Sequence, residues 1–198
     1  MGYAGDDIDA SDGTYFLSMR LRWNNDTRYV QLSQVLSALP KGSYTLTADY
    51  LAFTDKASGP TLTFTAASAS ASGTFYTSQS AAAKSFNTTD AYKKASVNFA
   101  LASASNVTIS MKLEGTQTTQ AFIDNLTLTY SNITTELSDA IAYATKVNVT
   151  LSNSDLTAAI TTAQGVLDGA ASATNKIAYQ GTIDEAVTTL NAAVATAV

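Results

Sequence analysis

Apolar residues change their spacing near residue 131. Before that point they alternate with polar residues; after it they recur every three or four positions. Tyr15, Leu17, Met19, Leu21 and Trp23 share one parity, while Ser18, Arg20 and Arg22 share the other. Successive side chains of a strand point to opposite faces, so this pattern predicts a half-buried strand. Tyr44, Leu46, Ala48 and Tyr50 predict a second strand over 43–53, with Thr45, Thr47 and Asp49 outward. The alternation returns at 95–101, 107–113 and 122–130, the last with Leu126, Leu128 and Tyr130 inward. Weaker strands are read at 29–36, 61–66 and 73–77. Turn residues separate them at Pro40-Lys41-Gly42, Ser58-Gly59-Pro60, 87–90 and Glu114-Gly115. About eight short strands predict an antiparallel β-sandwich or jelly roll.

Three helices are predicted after residue 131. Their stripes are Leu137, Ile141 and Ala144; Leu156, Ile160, Ala163 and Leu167; and Ile183, Val187, Leu190 and Val194. Ser154 stands just before Asp155 and the second stripe. Thr182-Ile183-Asp184-Glu185 has the form of a capping box and predicts the third start. Gly169 and Gly181 are read as punctuation. Leu137-x-x-Ala140-Ile141-x-x-Ala144 recurs as Leu156-x-x-Ala159-Ile160-x-x-Ala163, and Leu190-x-x-Ala193-Val194 is a partial third copy. The expected architecture is therefore a β-sandwich over 1–131 and a small three-helix bundle over 132–198. A bundle of about 65 residues is near the lower limit for folding alone and is expected to lean on a neighbour.

Composition narrows the chemistry. The 198 residues include no His and no Cys. That excludes Ser-His-Asp and Cys-His catalysis, disulfides and the usual zinc ligand sets. The net charge is −5, and the 11 Lys and Arg are scattered, so no nucleic-acid partner is expected. No apolar run approaches the length of a membrane span. Met1-Gly2-Tyr3-Ala4-Gly5-Asp6 is neither basic nor apolar, unlike a signal peptide. The only Glu residues are Glu114, Glu136 and Glu185, and they form no evident pair for acid–base work. The chain is expected not to be an enzyme.

A series of short motifs carries a resemblance. Leu39-Pro40-Lys41-Gly42-Ser43-Tyr44-Thr45-Leu46-Thr47-Ala48 follows a Gln-bearing strand, Tyr29-Val30-Gln31-Leu32. Val107-Thr108-Ile109-Ser110-Met111-Lys112 comes later, and Phe122-Ile123-Asp124-Asn125-Leu126-Thr127-Leu128 ends the series. In order and spacing this resembles galactose-binding-like jelly rolls, including many carbohydrate-binding modules. Leu156–Leu167 and Glu185–Val194 resemble the small helical repeats called FIVAR. The pairing is similar to that in large secreted proteins of gut Bacteroidetes. The resemblance implies a non-catalytic glycan-binding module of an exported or cell-surface bacterial protein, within a larger parent. The competing expectation is a structural or adhesive module with no small ligand.

Six residues are candidates for the site. Trp23 ends a strand ahead of Asn24, and a loop-end Trp can stack on a pyranose while Asn binds hydroxyls. Trp23 also shares parity with Met19 and Leu21, which would make it a core cap. Arg28 is a nearby polar candidate. Tyr76 and Tyr92 could offer loop aromatics, or simply pack at strand ends. Asp124 shares parity with Phe122 and needs a partner at the core rim. The resemblance implies a structural calcium near the first and last strands, which related jelly rolls often hold. Asp124 with Asp6, Asp7, Asp9 or Asp12 could supply its oxygens. Alternatively Asp124 caps loop amides or pairs with an Arg.

Overall fold

The computed structural model describes residues 9–21, 27–54, 60–77, 92–115 and 119–198. Among the described residues there are nine strands: β1 Leu17–Leu21, β2 Arg28–Leu39, β3 Gly42–Thr54, β4 Thr61–Ala66, β5 Ala69–Gly73, β6 Tyr76–Thr77, β7 Lys93–Leu101, β8 Ser105–Gly115 and β9 Thr119–Ser131. One sheet has the order β1-β9-β3-β6, with β7 also on β3; the other has the order β2-β8-β4-β5. The four-stranded sheet is antiparallel throughout, while the two residues of β6 run parallel to β3. Tyr50 of one sheet meets Phe64 of the other with ring centroids 5.5 Å apart. The fold is the expected sandwich followed by helices.

Parity sorted most of the core correctly. Met19, Leu21, Tyr44, Leu46, Val97, Val107 and Leu113 are buried. Two readings fail for local reasons. Tyr15 is 87% exposed, because β1 starts only at Leu17, where pairing with Ile123 begins. Leu126 is also exposed. Asn125 sits at φ 46°, in the left-handed region, and this breaks the alternation midway along β9. The segment 73–77 is not one strand: its ends belong to β5 and β6, in different sheets.

Two compact units divide the chain. The second takes Tyr130–Val198 together with the turns Pro40–Ser43 and Ala100–Ala104. Its helices are α1 Thr135–Leu151, α2 Ser154–Gly169 and α3 Lys176–Ala197. Leu137, Ala144, Leu156, Ala163, Ile183 and Leu190 form its core, as their spacing predicted. Among the described residues no helix is long and apolar enough to cross a membrane.

Helix α2 starts at Ser154 as expected, whereas α3 starts at Lys176, six residues before Thr182. Asn153 caps α2, its side chain accepting from the N–H of Asp155 and of Leu156 at 2.9 Å each. Asn175 caps α3 by accepting from the Ala178 N–H at 3.1 Å. Thr182 and Gly181 therefore lie inside α3 rather than at its start. The segment 176–180 joins the helix because its side chains are engaged. Tyr179 donates to the Val166 carbonyl at 2.9 Å, and Gln180 is buried on the chain just before α1. A Cβ added at Gly181 would meet nothing within 4 Å. Gly181→Ala should therefore stabilise this unit by up to about 1 kcal/mol, the difference in helix propensity. Thermal or urea unfolding would show it; an unchanged or lower midpoint would contradict it.

The motif glycine has a different explanation. A Cβ on Gly42 would lie 2.0 Å from the Tyr130 ring, which is anchored by its hydroxyl donating to the Lys41 carbonyl at 3.0 Å. Lys41 itself is ion-paired with Asp184 at 3.0 Å and Glu136 at 3.4 Å. Its hydrogen bond to Asp184 raises the ammonium pKa above the ordinary value, despite the opposing effect of burial.

Candidate functional site

The outer face of the four-stranded sheet follows from its register. The inner row of β8 (Val107, Ile109, Met111 and Leu113) is buried, so Ser110, Lys112 and Glu114 face out. Direct partners in an antiparallel pair share a face. Tyr29, Glu114 and Thr61 therefore form one rung across β2, β8 and β4. Gln31, Lys112, Thr63 and Ser72 form the next, reaching β5, and Ser33, Ser110, Thr65 and Ser70 the third. The Lys112 ammonium lies 4.8 Å from the Tyr29 ring centroid and pairs with Glu114. Tyr29 is 64% exposed, so its ring stays largely open to solvent. This face combines an accessible aromatic ring, a cation, a carboxylate, a carboxamide and rows of hydroxyls.

Tyr76 and Tyr92 gather elsewhere, around Leu51, Phe53 and Phe122 of the five-stranded sheet. Tyr76 packs 6.0 Å from Phe53, with the Lys93 ammonium 4.0 Å from its ring centroid. Tyr92 is half-buried, and its hydroxyl is enclosed with no hydrogen-bond partner among the described residues. Burial first, then the charges of Asp124, Asp49 and Asp9, push its pKa up to about 12. Both rings are partly buried against this cluster.

Asp124 belongs to a polar cluster. Its Oδ2 accepts from Ser11 Oγ at 3.0 Å and from the Asp12 N–H at 2.9 Å; its Oδ1 accepts from the Asn125 N–H at 2.8 Å. Ser11 Oγ also lies 3.2 Å from Asp49 Oδ2. Asp49 pairs with Lys94 at 2.8 Å and accepts from Asn125 Nδ2 at 3.1 Å. Burial pushes both carboxyls up, but these donors outweigh it and hold both below the usual carboxylate value. Asp124 thus caps loop amides and tethers the segment around Ser11. Among the described residues no group of three His, Cys, Asp or Glu side chains assembles here. Asp6 and Asp7 lie outside the described residues.

Among the described candidates, Arg28 and Tyr76 belong to different sheets. Trp23 and Asn24 lie outside the described residues. Arg28 begins β2 opposite Gly115 and is exposed, next in sequence to Tyr29. Sequence reasoning missed Tyr29, Gln31, Lys112 and Glu114 as a group. The signal available was the pairing of the Gln-bearing strand with the strand ending in Lys112.

No protein-family model matches the chain, and no curated protein matches it. Solved structures with similarity include carbohydrate-binding modules. The chain is similar to TmCBM61, solved in complex with β-1,4-galactotriose, at 16% identity and TM-score 0.43, over 62% of this chain and 75% of that one. It is similar to a CBM4 structure at 11% identity and TM-score 0.39, over 63% and 94%. The C-terminal domain of EclA, a sugar-binding protein, gives 18% identity and TM-score 0.35, over 65% and 87%.

Proposed function

We propose that the sandwich is a non-catalytic carbohydrate-binding module that holds a glycan on the outer face of its four-stranded sheet. The observation that carries this is the rung of Tyr29 and Glu114 beside Gln31 and Lys112. A pyranose has an apolar C–H face that stacks on an aromatic ring, and equatorial hydroxyls that need donors and acceptors at its rim. Strands about 4.8 Å apart present such groups in register. The motif resemblance supports the same reading, and extends it to an exported or cell-surface bacterial protein with further glycan-processing domains. FIVAR-like helices would then be a spacer. Single-site binding is expected to be weak and to gain from tethering.

Catalysis fits less well. Asp49 and Asp124 approach a common serine, yet both are held ionised, and a paired-carboxylate mechanism needs one proton donor. The structural or adhesive reading has one observation in its favour, the inward packing of Tyr76 and Tyr92.

The test is chemical-shift perturbation against plant, host and microbial glycans. Saturable shifts are expected at Tyr29, Gln31, Lys112 and Glu114. Tyr29→Ala should weaken binding about tenfold, the equivalent of a stacking contribution of about 1.4 kcal/mol. Shifts confined to the segment holding Trp23 and Asn24 would keep the module and relocate its site. Silence across the panel would favour the adhesive reading.

We further propose that Asp124 works through its hydrogen bonds alone, without calcium. Chelation should then leave the melting temperature within about 1 °C, a shift smaller than a single hydrogen bond contributes. A rise of several degrees on adding calcium would instead assign a cage completed by Asp6 or Asp7.

A further inference from the structure

Strand β2 stands out from the rest of the sandwich. It is 12 residues long, and among the described residues its only strand neighbour is β8. Its register with β8 runs unbroken from Arg28 opposite Gly115 to Leu36 opposite Val107, and shifts only after that. The inner row of β8 is buried, but the β2 residues beside it are not: Leu32 is 49% exposed, and Gln34 is exposed too. On the outer side Tyr29 and Val35 are exposed as well. Proteins that stay monomeric usually blunt such an edge with Lys, Pro, a bulge or a short strand. From Arg28 to Leu36 this edge has no Pro, no Lys and no Gly, and its irregularity comes only at Ala38, with φ 52°.

We propose that the edge of β2 with no strand neighbour among the described residues pairs antiparallel with the same edge of a second copy of this chain, joining two four-stranded sheets into one of eight strands. Side-chain parity restricts the register. To keep the inner rows on one side, the two-fold must set residues of like parity opposite each other. Centred on Leu32, it places Leu32 against its own copy, Tyr29 against Val35 of the second copy, and Gln31 against Ser33. Aromatic–β-branched and aliphatic pairs are favourable across strands. The charge distribution agrees. The chain carries −5 overall, yet β2 contains no acidic residue. Its single charged residue, Arg28, falls opposite Leu36 in this register, so no like charges meet. With nine residues a side against the 20–30 of a standard interface, the buried area falls below the usual lower end of about 1,200 Å2 in total. The association is therefore weak and concentration-dependent. A foreign strand would need matching side-chain pockets beside the edge, whereas this edge already complements itself.

Sedimentation of the 198-residue chain from about 5 to about 500 µM tests the proposal, a range chosen for an interface of this size. The expected result is a shift from monomer to dimer, with slower amide exchange over residues 28–36 as concentration rises. Leu32→Lys and Val35→Lys, both at exposed positions, should remain monomeric with unchanged melting temperature and circular dichroism. Two variants guard against one that fails to fold. A wild type that stays monomeric throughout would overturn the proposal. So would a dimer that survives in both variants, or concentration-dependent protection elsewhere than β2.

Discussion

Phe122→Ala lowers the unfolding free energy of the sandwich by about 4 kcal/mol, within the range for emptying an aromatic core site. Phe122 is 1% exposed. Its ring meets Phe16 edge-on at 5.1 Å and Phe53 at 6.3 Å, and both contacts vanish with the ring. The cavity has little means of collapse, because Leu51 and Phe53 are fixed on β3 beside it. Phe16, Tyr76 and Tyr92, which pack on this cluster, lose their support as well. At roughly 2–4 °C per kcal/mol for a chain of this size, the melting temperature falls by about 10 °C. Urea unfolding followed by tyrosine fluorescence checks it. A loss under about 1.5 kcal/mol would mean that the site repacks and that the cluster is not a rigid one.

Gln180→Leu has the second largest expected effect, and it falls on the helical unit. Gln180 is 4% exposed. Its Oε1 accepts from the Ile133 N–H at 2.8 Å, and its Nε2 donates to the Ile133 carbonyl at 3.2 Å and to Asp184 Oδ1 at 3.0 Å. Both backbone groups of one residue are thus satisfied by one side chain. Leucine keeps much of the volume and none of the polarity. Ile133 is left with a donor and an acceptor unpaired in a partly buried place, at about 1–3 kcal/mol each. A loss of about 3 kcal/mol is expected, with faster amide exchange at Ile133. A loss below about 1 kcal/mol, with that amide still protected, would show that water replaces the side chain at little cost.

These two residues differ in how visible they are in the sequence. Phe122 could be placed in the core from alternation alone, as could Met19, Leu46 and Val107. Gln180 could not, because its partner lies 47 positions away and no local rule marks it. The capping-box pattern at Thr182 points to a helix start, yet α3 runs through it, because tertiary contacts at Tyr179 and Gln180 extend the helix back to Asn175. Asn125 hides a break in β9 behind an ordinary residue type. The candidate site shows the same limit. Tyr29 and Lys112 each stand on a strand whose existence could be read, but their contact depends on register, which links positions far apart in sequence. Loop aromatics drew attention instead, and Tyr76 and Tyr92 pack against Leu51, Phe53 and Phe122 of the other sheet.

The grip of Lys41 on Asp184 spans 143 residues of sequence. During synthesis the turn that carries Lys41 leaves the ribosome well before its anchor. At about 5–20 residues per second, Lys41 and Gly42 wait roughly 10–30 s for Asp184 to follow. By the end of that interval every strand of the sandwich has emerged, while the helical unit still lacks about half of α3. The order of emergence therefore lets the strands assemble before the helical unit is complete, with Glu136 within reach of Lys41 before Asp184 has followed.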